Sequence, residues 1–200
     1  MGRFFSRSEP VDWLVVGLGN PGAGYESTPH NVGFQVISEL SKRWELGRPK
    51  KSFNGLIVSG RVGPPGGSAV RVALLEPLTY MNESGTSAGP ARGSLKLELD
   101  HVLVVHDEID LPFGQLQARL GGGLAGHNGL KSLRKGFGSD EFGRLRIGVG
   151  RPDSTDSASV SDYVLGRWKQ SDADVNALVA AASDLVEQIV LGETALSGSA

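Results

Sequence analysis

Five side chains suited to carbonyl chemistry stand where apolar runs or glycine-rich stretches of the 200-residue chain stop: Asn20, His30, Asn82, Asp107 and Asn128. An imidazole with an ordinary pKa of about 6.5 can take a proton from water near neutral pH, and an aspartate can orient it and stabilise the imidazolium that forms. Asparagine amides can donate to a developing oxyanion. Three amides, one imidazole and one carboxylate therefore describe an ester-hydrolysing site that works through activated water, without a covalent nucleophile. Taken singly, each residue reads first as a turn former, a helix cap or a solvated side chain. The joint reading rests on convergence, because ligands of open α/β sheets collect at the carboxyl ends of strands.

Two stretches imitate other chemistries. Gly17-Leu18-Gly19-Asn20-Pro21-Gly22 matches G-x-G-x-x-G after a strand, with Glu39 near the place of a ribose-binding acid. A dinucleotide site needs the helix to open within the glycines so that its amides meet the pyrophosphate. Here AGYESTPH intervenes before a helix can start. Gly85-Thr86-Ser87-Ala88-Gly89 matches G-x-S-x-G, with Asp107 and His127 following in the order of a serine hydrolase. A nucleophile elbow must directly follow a buried strand, whereas Ser87 follows the helix-compatible YMNES, and the nearest strand ends near Glu76.

The elements that must position the five residues follow from patterning. WLVVGL, Trp13 to Leu18, is a buried strand followed by a Gly/Pro/Ser-rich loop to Pro29. A helix is expected from about Asn31, its apolar positions Val32, Val36, Ile37, Leu40 and Trp44 at 3.6-residue spacing, ending before Gly47 and Pro49. Leu56–Ser59 and Val70–Leu75 read as a hairpin, and Met81–Ala91 as a short helix limited by Pro90. Val102–Val105 is a second fully apolar strand, ending in His106-Asp107-Glu108. Gln115–Leu120 alternates like a half-buried strand, GGGLAGHNG leads into a helix over about Asn128–Lys135, and Leu145–Val149 is a further strand. A polar loop, DSTDSAS, precedes an amphipathic helix over about Asp172–Leu191. Alternating apolar strands and helices predict a single-domain, three-layer α/β sandwich with a mixed, mostly parallel twisted sheet flanked by helices. Residues 1–12 read as a polar extension, 13–192 as the catalytic domain and 193–200 as a frayed tail.

Composition narrows the chemistry further. With no cysteine there is no thiolate nucleophile, disulfide or Cys-ligated metal, which fits a reducing, cytoplasmic setting. The longest apolar runs fall short of the ~18 residues that cross a bilayer. Lys and Arg number 20 against 22 Asp and Glu, but the distribution is uneven. Residues 114–151 carry seven basic side chains and two acidic ones, a net of +5, while residues 170–200 carry five acidic and no basic ones, a net of −5. Either segment reads as a solvated face, or the basic one as a local grip on nucleic acid.

At the same residues the chain resembles the bacterial-type peptidyl-tRNA hydrolase family. The likeness runs from about Leu14 to Gly166 in six segments: VVGLGNPGAGYESTPHNVGF, PLTYMNESG, VVHDEIDLPFG, GGGLAGHNGLKSL, FGRLRIGVGRP and YVLGRW. The resemblance implies a monomeric esterase with no cofactor and no metal, cleaving the ester between a peptide and the terminal ribose of tRNA and so recycling tRNA from aborted translation. It implies His30 as general base, Asp107 as its partner and Asn20 as the group that separates blocked from free aminoacyl substrates. It also implies a substrate crevice lined by Tyr25, Tyr80, Met81, Asn82 and Asn128. Arg119, Lys131, Arg134, Arg144 and Arg146 would then place positive charge beside Asn128 for the phosphates of the acceptor stem and 3′ end. A catalytically inactive tRNA-binding module is the competing reading, which the intact His30, Asp107 and asparagines disfavour. The chain departs from the family at Pro29, where a basic residue is usual, at Leu124 and Ala125 of the Gly-rich loop, and in its short acidic C-terminus. His101, His106 and His127 have no assigned role.

Overall fold

The computed structural model describes residues 10–64, 67–153 and 156–198, so most of the polar extension lies outside the described residues. Seven strands form one sheet: β1 (Trp13–Gly17), β2 (Lys50–Ser52), β3 (Gly55–Val62), β4 (Val70–Pro77), β5 (Val102–Glu108), β6 (Leu116–Leu120) and β7 (Gly143–Gly148), in the order β2-β3-β4-β1-β5-β7-β6. Strand β1 shows why. Leu14 and Val16 face one side and Val15 the other, all fully buried, and a strand apolar on both faces belongs at the centre of a doubly covered sheet. It pairs in parallel with β4 and β5, and β5 pairs in parallel with β7. β2 with β3, β3 with β4, and β6 with β7 are antiparallel. The pairings divide evenly, so parallel order is confined to the four central strands.

Two helices cover each face. α1 (Val32–Arg43) and α5 (Asp172–Val190) pack on the Val15 side, while α2 (Gly85–Leu95) and α3 (Asn128–Phe137) pack on the Leu14 and Val16 side. A fifth helix, α4 (Ser157–Leu165), stands at the carboxyl rim of the parallel strands and begins within the segment expected to be loop. Its start is set by Asp156, whose carboxylate accepts the N–H groups of Ala158 and Ser159. The acidic C-terminal segment is partly structural: Arg43 of α1 pairs with Asp184, and the Trp44 indole donates to Glu187 at 2.9 Å.

Two decoy motifs turn out to be packing devices. A Cβ at Gly17 would lie 2.4 Å from the Gly33 carbonyl oxygen, and one at Gly19 would enter the Phe34 ring, so these glycines let the chain after β1 lie against the start of α1. Gly85 and Gly89, one helical turn apart, face α3. A Cβ on Gly85 would come within 2.1 Å of the Ser132 carbonyl, and one on Gly89 within 2.7 Å of the Gly136 carbonyl. Ser87 is buried inside α2, and among the described residues its Oγ has no hydrogen-bond partner.

Two expectations need correction. Pro90 does not limit the helix, because α2 continues to Leu95 with Pro90 on its exposed face. Gly89 before it lacks the Cβ that would clash with the proline ring, and the backbone bond that Pro90 cannot donate is lost beside the exposed residue Thr86. The tail is also not frayed through residue 198. Leu120 N–H donates to the Ser197 carbonyl at 2.8 Å, Ser197 Oγ donates to the Ala118 carbonyl at 2.8 Å, and Leu196 packs against the core. The outer edge of β6 is thereby covered, a common remedy for an open sheet edge.

Candidate active site

His30 sits in a 3-10 turn, Pro29–Asn31, between the loop after β1 and the start of α1. Pro29 occupies the first position of that turn, where its fixed φ suits a helical start, and Thr28 before it is extended, as a pre-proline residue prefers. The departure from a basic residue therefore stiffens the loop that presents His30. Behind the turn, α1 can approach only because residue 33 is glycine: a Cβ there would lie 2.4 Å from both Leu18 N and the Val105 carbonyl.

Asp107 belongs to the last turn of the pleat in β5 and is 3 % exposed. His30 Nδ1 lies 2.9 and 3.0 Å from its two carboxylate oxygens, across 77 residues of sequence. A second imidazole reaches the same carboxylate, with His127 Nε2 3.0 Å from Oδ1. The tautomer of His127 follows from α3, which it caps: its Nδ1 accepts the N–H groups of Gly129 and Leu130 at 3.1 and 3.4 Å. Nδ1 is thus bare and Nε2 carries the proton it donates to Asp107. His30 donates through Nδ1–H, which leaves its Nε2 lone pair free.

Electrostatics agree with this proton placement. Burial alone would raise the Asp107 pKa, but the two imidazoles hold it well below the usual carboxylate range. For His30, burial lowers the pKa, and the charge and hydrogen bond of Asp107 outweigh it, for a net rise. His106 behaves oppositely. Fully buried, beside His127 and with Nδ1 2.7 Å from the Asp107 carbonyl, it is pushed down to about 3, burial being the main cause, and is neutral at physiological pH. His30, Asp107 and His127 are also the one group among the described residues whose spacing would admit a cation. The donor set does not fit one: a metal on His127 Nε2 would have to displace the proton that the cap at Nδ1 requires.

A crevice of about 660 Å³ opens over this cluster on the carboxyl rim. Asn20, Tyr80, Met81, Asn82 and Asn128 line it with His30 and Asp107. The Asn20 carboxamide is fixed in orientation, since its Oδ1 accepts the Met81 N–H at 2.8 Å and the amide NH2 is the part left for a ligand. Asn31 clasps the Asn20 backbone at both N–H and C=O, 2.8 and 2.9 Å. Tyr25 is not among the lining residues. The chain from Gly22 to Thr28 folds back on itself, with the Tyr25 carbonyl accepting both Thr28 N–H and Oγ–H, and this keeps Tyr25 in the preceding loop.

The expected basic patch divides. Lys131 lines the crevice, and Arg134 lies one turn further along the exposed side of α3. Arg144 is 1 % exposed and is removed from the phosphate-binding set. Its guanidinium donates to the carbonyls of Gly123 and Asp140 at 2.7 and 2.9 Å and lies over the Phe142 ring, anchoring the Gly-rich loop. Arg119 pairs opposite Arg144 near the amino end of β7, far down the sheet from Asp107, and packs against Gly122. Arg146 is engaged by Glu108 at 2.9 Å and by Gln117. Register and pairing explain the division: Arg119 and Arg144 stand level with Val104, three residues before Asp107, whereas Arg146 is level with His106 but is taken up by Glu108 and Gln117. Sequence reasoning left His127 unassigned and passed over Arg151, which lines the crevice and pairs with Asp110. The legible signal for His127 was its place immediately before Asn128, at the start of a helix.

The chain is similar in sequence and fold to known proteins. The family described as peptidyl-tRNA hydrolase matches residues 14–197. A peptidyl-tRNA hydrolase of Geobacillus kaustophilus is 46 % identical over 178 residues, covering 88 % of this chain and 92 % of the relative, and one of Bacillus anthracis is 43 % identical with 88 % and 91 % covered. The crystal structure of peptidyl-tRNA hydrolase from Acinetobacter baumannii superposes with a TM-score of 0.77 at 35 % identity, covering 93 % of this chain and 92 % of that one. With sequence and fold in agreement over nearly its whole length, the chain belongs to the peptidyl-tRNA hydrolase family.

Proposed function

We propose that the chain hydrolyses the ester joining a peptide, or another N-blocked aminoacyl group, to the terminal ribose of tRNA, and so recycles tRNA from prematurely terminated translation. The observation that carries this reading is the doubly donated Asp107 carboxylate, which fixes His30 with its Nε2 lone pair free beside the crevice. Family membership supplies the substrate class.

His30 Nε2 takes a proton from water as its oxygen attacks the ester carbonyl, and Asp107 stabilises the imidazolium that forms. The amides of Asn82 and Asn128 donate to the oxyanion, each such donor being worth about 3–4 kcal/mol elsewhere. Collapse breaks the bond to the ribose oxygen, which receives the proton back from His30, leaving free tRNA and a peptide carboxylic acid that loses its proton to solvent. No covalent acyl-enzyme, metal or cofactor takes part. The oriented NH2 of Asn20 binds the first peptide carbonyl. A free aminoacyl group lacks that carbonyl, and its ammonium is costly to desolvate with no carboxylate beside it.

Lys131 and Arg134 lead from Asn128 along α3 and meet phosphates of the 3′ end and acceptor stem, a contact indifferent to tRNA sequence. The protein acts as a cytoplasmic monomer. The test is to offer it N-acetyl-aminoacyl-tRNA and the same aminoacyl-tRNA with a free amine. Rapid release of tRNA from the first and not the second is expected. Tight binding with no release from either would instead favour a binding module without catalysis.

A further inference from the structure

A second cleft, of about 690 Å³, adjoins the catalytic crevice on the same carboxyl rim. Tyr80 stands between the two and lines both. Asn20 lines the first and Pro21, its neighbour in sequence, lines the second, so the two floors are continuous. Among the described residues the large apolar side chains left substantially exposed are Leu78, Tyr80 and Leu165, and all three line these two clefts. Exposed apolar residues scattered singly need no explanation, whereas their concentration along one rim marks a binding surface.

The outer lip is the tip between β2 and β3. Phe53 and Asn54 hold left-handed φ values there, 53° and 52°, a conformation Asn tolerates and Phe does not favour. The Asn54 carbonyl accepts the Leu78 N–H at 2.9 Å, which ties the tip to the segment carrying Tyr80. The cleft therefore offers two aromatic rings, Leu78 and a side-chain amide on a braced frame.

Charge decides the occupant. Lys51 and Glu83 are the charged residues lining this cleft and they cancel, whereas the opposite end of the crevice carries Lys131 and leads to Arg134. Phosphates belong on the α3 side, and a neutral, partly apolar cleft with an amide suits polypeptide. The amide of Asn20, which meets the first peptide carbonyl in the reading above, lies on the side from which the second cleft opens.

We propose that this second cleft is a subsite for the polypeptide beyond its ester-linked residue, an inference that rests on the hydrolase reading above. An N-acetyl-aminoacyl group supplies only the first carbonyl. Each further residue adds about 3.5 Å of chain, so a tripeptidyl group is what extends past Asn20 over Pro21 and Tyr80 into the cleft.

The experiment compares kcat/KM for N-acetyl-aminoacyl-tRNA and for a tripeptidyl-tRNA with the same ester-linked residue, in wild type, Phe53→Ala and Leu78→Ser. Wild type is expected to favour the tripeptidyl substrate by about tenfold, with the gain lying in KM, and each variant to bring the ratio to within about twofold of one. Using a ratio cancels any general loss of folded enzyme, and Leu78→Ser, at an exposed position, guards against a core defect from Phe53→Ala. A wild-type ratio near one, an unchanged ratio in both variants, or a parallel fall on both substrates overturns the subsite. No hydrolysis of either substrate by wild type would refute the hydrolase reading instead.

Discussion

Replacing His127 with asparagine separates its two jobs. Asparagine is among the preferred helix caps, so α3 keeps acceptors for its first amides, but the shorter side chain no longer carries a donor to Asp107 Oδ1, now 3.0 Å from His127 Nε2. Losing one hydrogen bond to a buried, charged carboxylate costs about 1.5–3 kcal/mol. Asp107 is then left with His30 as its one side-chain donor, and the positive charge on His30 is favoured more strongly than before. A carboxylate that has lost one donor pulls harder on the His30 proton, so the His30 pKa, already raised by Asp107, rises further. The acid limb of the kcat/KM profile, which reports the free enzyme, shifts to higher pH, while the plateau rate above it changes little. The assay is initial release of tRNA from N-acetyl-aminoacyl-tRNA across the neutral range, with a thermal melt to confirm folding. A folded variant whose acid limb does not move would refute the claim that the second imidazole tunes the first.

The other predictions concern specificity, charge and stability. Asn20→Ala removes the oriented NH2 and leaves the Met81 N–H without its acceptor. It is expected to lower activity and to erode the preference for N-blocked over free aminoacyl-tRNA by about tenfold or more, and an unchanged preference would assign selectivity elsewhere. Lys131→Ala should raise KM and flatten its salt dependence by about one phosphate contact, whereas Arg144→Ala should lower the melting temperature with the salt slope intact. Equal salt slopes in Lys131→Ala and wild type would contradict the division of the basic patch. His106, held near a pKa of about 3, binds its proton far less readily in the folded than in the unfolded state. Its contribution makes stability fall as pH drops below about 6.5, with a limiting slope of about 1.4 kcal/mol per pH unit. His30, with a raised pKa, contributes the opposite: stabilisation present below its unfolded value and lost as pH rises through the folded one. Denaturant titrations of His106→Gln should therefore show a shallower loss of stability on acidification than wild type, and an identical slope would mean that another group controls it.

The sequence made the centre of the molecule legible and its margins much less so. WLVVG and VLVV could be little other than buried strands, and residues placed just after such strands converge by topology, which is how His30 and Asp107 meet across 77 positions. His127 was not legible because its role depends on which ring nitrogen faces the first amides of α3, a property of the folded turn. Arg144 shows a different limit. Charge counting treats an arginine as surface, yet this one pairs opposite Val104 within the sheet and donates to the Gly123 carbonyl of the Gly-rich loop and to the Asp140 carbonyl. The tail failed for a related reason: Ser197 is ordered by the open edge of β6, a partner 79 residues away that no local pattern announces. The glycine motifs were ambiguous as strings, because close backbone packing and phosphate binding both select the residue without a Cβ.

In the proposed reaction His30 Nε2 removes the proton from the attacking water while Asp107 holds the ring. The most direct test of this step is the single-turnover rate of His30→Ala on N-acetyl-aminoacyl-tRNA, measured at saturating enzyme beside an independent measurement of tRNA affinity. A rate lowered by about 10²–10⁴ with affinity within about twofold of wild type is predicted. A rate close to wild type at equal affinity would contradict it.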